Sequence, residues 1–220
     1  MIREGIMSLV EGRDLTSDEA YTMMREVMSG EATDVQIGSM LTALRMKGET
    51  PQEISAFASV MRKFCSQLNP RVQGRIVDTC GTGGDNLKSF NISTIAAFVI
   101  AGAGIHVAKH GNRSFTSKCG SADVLENLGV KLSVEPAEVE QIIEKVGIGF
   151  IYAPAFHPAM RYAIGPRRQL GIRTVFNLLG PLTNPANAQA QLLGVYDENL
   201  TKTLAEALKL LGSEEAMVVH

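Results

Sequence analysis

The hydrophobic period of this chain changes once, near Gly74, and that change limits the fold to a helical unit followed by an α/β unit. Upstream, Thr16 with Glu19, Thr33 with Gln36, and Thr50 with Glu53 each place a hydroxyl three residues before Glu or Gln. That spacing is a capping box, in which the hydroxyl and the acidic or amide side chain satisfy each other's backbone N–H groups at a helix start. Gly30 and Gly48 stand where the first two helices should stop, and Pro51 takes the first position of the third, where its missing N–H costs nothing. Phe57, Val60, Met61 and Phe64 recur at helical spacing and read as packing. Residues 1–70 are therefore predicted to form a small all-α domain, closed by Asn69-Pro70. Downstream, β-rich runs at 76–78, 105–108, 150–152, 191–196 and 216–219 alternate with helical stretches at 93–103, 121–128, 136–146, 157–170 and 200–211. Strands separated in this way pair in parallel through right-handed crossovers. Residues 71–220 are predicted to be an α/β domain, a mostly parallel sheet flanked by helices and incomplete at the C-terminus. No flexible linker separates the two units, so they should pack closely.

Charge and composition remove several function classes. With 21 Lys plus Arg against 23 Asp plus Glu the net charge is −2, so no broad basic field recruits nucleic acid or an anionic membrane, and any phosphate site must be local. The longest apolar stretch, 95–105, is about half of the roughly 20 residues that a bilayer span needs, and the first residues carry no signal-peptide core. A cytoplasmic protein is expected. Cys65, Cys80 and Cys119 are odd in number and far apart, which argues against disulfides and structural zinc. Cys80 beside the glycine loop has no activating partner in sequence, which disfavours a catalytic thiol.

The chemistry concentrates after the first predicted strand, in Asp78-Thr79-Cys80-Gly81-Thr82-Gly83-Gly84-Asp85. Three glycines in four residues let the backbone turn sharply and bring its N–H groups against a ligand. Asn91-Ile92-Ser93-Thr94 then opens a helix whose free N–H groups favour an anion, although Ser93 and Thr94 also fit as plain caps. The run is neither the dinucleotide fingerprint nor the P-loop. A second polar turn, Lys109-His110-Gly111-Asn112-Arg113-Ser114, is expected where the next strand meets its loop, and Ser117, Lys118 and Ser121 continue it. Two such turns facing one crevice can wrap a diphosphate, with Lys109 as a mobile point charge and Asn112 as a fixed donor and acceptor.

These runs, with Gly120-Ser121-Ala122-Asp123 and Asn177-Leu178-Leu179-Gly180-Pro181-Leu182-Thr183-Asn184-Pro185, resemble the anthranilate phosphoribosyltransferase family across essentially the whole chain. The resemblance implies transfer of phosphoribose from 5-phosphoribosyl 1-pyrophosphate (PRPP) to the amine of anthranilate, in tryptophan biosynthesis, with Mg2+. It implies that Gly81, Gly84, Asp85, Ser89, Asn91, Ser93, Thr94, Lys109, His110, Gly111, Asn112, Arg113, Ser114, Ser117 and Ser121 hold PRPP, and that Ser93 touches the metal. Gly81, Asn112 and Arg167 would hold anthranilate, Arg167 being chosen over Arg168 by register, since a planar guanidinium grips a planar carboxylate through two hydrogen bonds. Lys109 and Arg167 would support catalysis, and His110 is a proton acceptor or a spacer. Residues 157–185 would form a hinge and anthranilate segment, and the helical domain a homodimer, through apolar faces at residues 1–10 and at Met40, Leu41 and Leu44 that fit a core equally well.

The family places a glycine-rich loop and a metal-binding Asp-Glu pair beyond the strand at 216–219, so the chain reads as a fragment with apolar surface exposed and weak magnesium-dependent turnover. Asn86 stands where the family usually has glycine. Two other readings share this architecture. A pyrimidine nucleoside phosphorylase would have serine and threonine after Lys-His, and a non-catalytic nucleic-acid-binding relative would need the positive charge and aromatics that are missing here.

Overall fold

The computed structural model describes residues 1–84, 90–114 and 119–220. Four helices come first: α1 Ile2–Val10, α2 Ser17–Ser29, α3 Asp34–Lys47 and α4 Pro51–Lys63. The three expected capping boxes are all formed, Thr16, Thr33 and Thr50 each accepting from the residue three positions on. Gly30 ends α2 in the left-handed region at φ 79°, and a Cβ there would lie 2.5 Å from the Tyr162 ring. The capping residue is thus also a packing site against a helix more than a hundred residues away.

After Gly74 the expected alternation appears as β1 Val77–Asp78, α5 Ile92–Gly102, β2 Val107–Gly111, α6 Ser121–Asn127, α7 Pro136–Val146 and β3 Ile148–Tyr152. There follow α8 Ala153–Phe156, a 3-10 turn Pro158–Met160, α9 Arg161–Leu170, α10 Phe176–Leu179, a second 3-10 turn Gly180–Leu182, β4 Ala190–Gly194, α11 Leu200–Leu210 and β5 Glu215–Val219. Most boundaries shift by one or two residues, and two differ more. The strand placed at 105–108 runs from Val107 to Gly111, because its parallel pairing with β3 extends from Val107 opposite Ile148 to Gly111 opposite Tyr152. The single helix expected at 157–170 is broken after His157, where Pro158, which cannot donate its nitrogen, starts a separate turn.

All strand pairs are parallel, in the order β3-β2-β1-β4-β5. The chain builds outward from β1 to one side and then crosses to the other, so β1 and β4 flank the point where strand order reverses. In open α/β sheets the crevice beyond the carboxyl ends of two such strands is where ligands bind.

The helical unit does not close on itself. Its core side chains, among them Met23, Met24, Leu41, Leu44 and Phe57, are continuous with Ala163 of α9, Leu178 and Leu179 of α10 and Leu204 and Leu208 of α11. Met40, Leu41 and Leu44, one of the candidate dimer faces, are fully buried in this core. Ile92, Ile95, Phe98 and Val99 on α5, and Met217 and Val219 on β5, are exposed.

Candidate active site

The site is built where β1 ends. Asp78 is fully buried, and its Oδ1 accepts the N–H of Cys80 at 3.0 Å, which bends the chain directly into the glycine turn. Gly81 then passes so close to the end of β4 that a Cβ would sit 2.8 Å from the Gly194 carbonyl oxygen. Thr82 fixes that approach, its N–H donating to Gly194 O at 2.9 Å and its hydroxyl accepting the Tyr196 N–H at 3.2 Å. Gly83 and Gly84 adopt φ of 64° and 76°, open to glycine and strained for other residues. The Gly84 carbonyl accepts from Arg173, whose guanidinium lies over the Tyr196 ring at 4.0 Å. The glycine turn is therefore held across the β1/β4 reversal.

Lys109 lies inside β2, not in a loop, and is only 3% exposed. Its Nζ donates to the hydroxyls of Thr79 and Ser93, each at 3.3 Å, and Thr79 donates in turn to the Ser93 carbonyl at 2.7 Å. The ammonium is thereby aimed at the first turn of α5. The cap of that helix is Asn91, which makes no side-chain capping bond, so Ser93 and Thr94 are not caps. Thr94, 2% exposed, has a hydroxyl without a hydrogen-bond partner among the described residues. A buried cation, a helix N-terminus and an orphaned hydroxyl converge here, and among the described residues no carboxylate lies within ion-pair distance of Lys109. Such a group attracts an anion.

The remainder of the second run points elsewhere. His110 and Gly111 also belong to β2, which corrects the expected loop. The His110 ring is buried, its Nδ1–H donating to Gly180 O at 3.0 Å, which leaves Nε2 to accept from His157 Nε2 at 3.2 Å. Burial, with His157 and Lys109 adding to it, lowers the His110 pKa to about 3, and burial lowers that of His157 to about 4, so both rings are neutral and the packed-spacer role fits His110. Gly111 leaves room for the Ser121 hydroxyl and the Phe150 ring, both under 3.0 Å from a Cβ placed there. Asn112 is exposed, and its backbone carbonyl accepts from the Ser121 hydroxyl at 3.2 Å. Arg113, expected on PRPP, forks onto Glu126 at 2.7 and 2.8 Å and onto Asp123 at 3.0 Å. Ser114 likewise turns its N–H to Asp123. These two side the loop with α6 rather than with the glycine turn. Asp85, Ser89 and Ser117, with Asn86 and Lys118, lie outside the described residues.

Arg167 is half-buried on α9, with its guanidinium over the Phe176 ring at 5.0 Å, while Arg168 is exposed. Burial lowers the Arg167 pKa. Among the described residues it forms no ion pair, and no hydrogen bond joins it to Gly81 or Asn112. The 180–185 segment connects the two regions: Asn184 Nδ2 donates to Asp78 Oδ2 at 2.7 Å and to Ala108 O at 2.8 Å.

Asp78, Thr79, His157, Arg173 and Asn184 were not singled out from sequence. Asp78 and Asn184 do lie inside quoted motifs, but their role depends on segments that meet only in three dimensions. Cys80 is no nucleophile, because burial and the neighbouring Asp78 push its thiol up to about 12.

A magnesium site is not built by the described residues. They hold no cluster of three or more His, Cys, Asp or Glu, and the Ser93 hydroxyl already accepts from an ammonium that would repel a metal cation. No helix among the described residues is long and apolar enough to cross a membrane.

Residues 73–220 match the model of the glycosyl transferase family, a/b domain, and residues 3–65 that of its helical bundle domain. The chain belongs to this glycosyl transferase family. Within it, the chain is 59% identical over 220 residues to the anthranilate phosphoribosyltransferase of Methanocorpusculum labreanum, covering all of this chain and 65% of that protein. Its fold is similar to that of anthranilate phosphoribosyltransferase from Thermus thermophilus, with a TM-score of 0.91 and 47% identity over 95% of this chain and 63% of the other. The Saccharomyces cerevisiae enzyme in complex with PRPP and Mg gives a TM-score of 0.90 at 28% identity, over 99% and 64% of the two chains. The resemblance carried by the quoted runs is borne out. This glycosyl transferase family member spans about 65% of the length of the curated relatives it matches.

Proposed function

We propose that the β1/β4 crevice binds the diphosphate of PRPP and that this chain carries that half of an anthranilate phosphoribosyltransferase site. The observation behind this reading is Lys109, a buried ammonium aimed by two hydroxyls at the N-terminus of α5, beside the unpartnered Thr94 hydroxyl.

Breaking the anomeric C–O bond builds positive charge on the ribose and negative charge on the departing pyrophosphate. Lys109 and the first N–H groups of α5 stabilise that negative charge, and Gly81, Gly83 and Gly84 let backbone amides approach it without a Cβ in the way. Arg167, desolvated and without a carboxylate partner among the described residues, is proposed to take the anthranilate carboxylate and so orient the amine toward the anomeric carbon. His110, neutral and engaged on both ring nitrogens, shapes the wall and is not the proton acceptor. The proton is lost to water, because an aromatic ammonium is acidic enough to release it unaided. Mg2+ is proposed to enter with the diphosphate, whose oxygens are the hard ligands it prefers. Residues 157–185 are proposed to act as the hinge, since they pack on the helical unit through α9 and reach the site through Asn184. If the chain forms a homodimer, Met7 and Val10 of α1 are exposed and can serve it.

Titration calorimetry of the chain with PRPP and Mg2+ tests the proposal, with single-stranded DNA as a control. Saturable binding of PRPP that weakens about 100-fold in Lys109→Met supports it, and binding of DNA alone or of neither ligand refutes it.

A further inference from the structure

Asp78 is a buried carboxylate that the proposed chemistry does not use. It is 0% exposed, and its two oxygens tie together three segments: the Cys80 N–H at 3.0 Å in the glycine turn, the His110 N–H at 3.2 Å in β2, and the Asn184 amide at 2.7 Å in the 180–185 segment. Burying a carboxylate is costly unless an opposite charge and hydrogen bonds offset it. The donors are present, and the charged group facing Asp78 is the Lys109 ammonium, the first influence drawing its carboxyl back toward the ionised form. The other titratable groups packed around it, Cys80, His110 and His157, are neutral. Burial still leaves the Asp78 carboxyl raised to about 6, so the carboxylate is ionised at neutral pH.

Asp78 thus holds the backbone at His110, the residue after Lys109, while Thr79 and Ser93 accept from the ammonium. A carboxylate at ion-pair distance would pair with Lys109 and occupy its hydrogen bonds, as an ordinary buried salt bridge does. Asp78 forms no such pair among the described residues, so its charge offsets the burial of the cation while the ammonium keeps its bonds to the Thr79 and Ser93 hydroxyls. Through Cys80 and Asn184 it also fixes the glycine turn and the 180–185 segment relative to the strand that carries Lys109.

We propose that Asp78, with Asn184, is a positioning residue for phosphoribosyl transfer, acting through Lys109 to hold a buried ammonium toward the diphosphate. This inference rests on the reading of Lys109 as a diphosphate ligand. It is tested by a double-mutant cycle on PRPP affinity, measured by calorimetry on the chain, Lys109→Met, Asp78→Asn, Asn184→Ala and the two doubles with Lys109→Met.

The expected losses are about tenfold for Asp78→Asn and about threefold for Asn184→Ala, each vanishing in the Lys109→Met background, since residues that act through one another are not additive. Losses that persist undiminished in that background mark a purely structural role and overturn the inference while leaving the PRPP site in place. Absence of PRPP binding by the unmutated chain instead overturns the functional reading and this inference with it. Asn184→Ala keeps the carboxylate, so its cycle decides the matter if Asp78→Asn fails to fold by thermal melting.

Discussion

Two buried lysines, one in each half of the molecule, show how burial serves structure in one place and a site in the other. Lys47 in α3 is neutralised: its Nζ lies 2.7 Å from Asp14 and 3.0 Å from the fully buried Glu53, and it donates to the Gly48 carbonyl at 2.8 Å. Lys109 in β2 donates to two hydroxyls at 3.3 Å and, among the described residues, forms no ion pair. The first arrangement completes the bonding of every group and leaves nothing for a ligand. The second keeps a cation desolvated and directed, which strengthens any anion contact it makes.

The comparison can be broken most decisively at Glu53, which bonds Lys47, the Leu15 N–H and the Thr50 N–H at once. Glu53→Ala should cost about 4 kcal/mol, because it strands a buried cation and two backbone donors. In a chain of this size that lowers the melting temperature by roughly 10 °C. PRPP affinity of the folded fraction should be unchanged, and an equal loss of affinity would erase the distinction between the two lysines.

Acidification is the next largest effect. Folded His110 and His157 stay neutral down to about pH 3 and 4, whereas unfolded imidazoles bind protons near the ordinary value, so stability present above about pH 6.5 is lost as the pH falls toward 4. Asp78 works the other way, since its folded carboxyl takes up a proton near pH 6, above the unfolded value. Two imidazoles outweigh one carboxyl. The melting temperature should drop between pH 6.5 and 4.5, and in His157→Asn it should drop less, by an amount worth roughly 2 kcal/mol. Equal slopes in the two proteins would show that the histidine pair is not buried in solution.

Lys109→Met should weaken PRPP binding about 100-fold, close to the roughly 2.7 kcal/mol expected for a charge-assisted hydrogen bond to phosphate, with a modest fall in melting temperature because Asp78 loses the charge that offsets its burial. A fall in stability without loss of affinity would make Lys109 another Lys47. Thr16→Ala, which removes one capping box, should cost about 1 kcal/mol of stability in a denaturant melt and nothing in binding. Arg113→Gln should change PRPP affinity by less than about twofold, because that guanidinium is already matched by Glu126 and Asp123 and exposed ion pairs contribute little. A large loss would return Arg113 to the ligand set that the sequence suggested.

Local rules made much of this legible. Hydroxyl-to-acid spacing located three helices to within a residue, since a capping box is closed by atoms four residues apart or fewer. The glycine turn was readable for the same reason, its backbone angles being set by residue type. Lys109 was recognised and misplaced: its neighbours Gly111 and Asn112 read as a turn, but pairing with β3 carries the strand through Gly111. Arg113 looked like a phosphate ligand because its partners, Glu126 and Asp123, lie more than one helical turn ahead in sequence. Asp78 and Asn184 were present in the motifs, but their separation of 106 positions hid their contact.

By itself the sequence determined the order of helices and strands, the glycine turn and the family, because those depend on capping, periodicity and residue types acting over a few positions. Only the tertiary structure decided which charges are matched and which are held for a ligand. Strand order brings the ends of β1, β2 and β4 together, and the electrostatic state of Lys109, Asp78 and Arg113 depends on what that convergence places within a few ångströms of each.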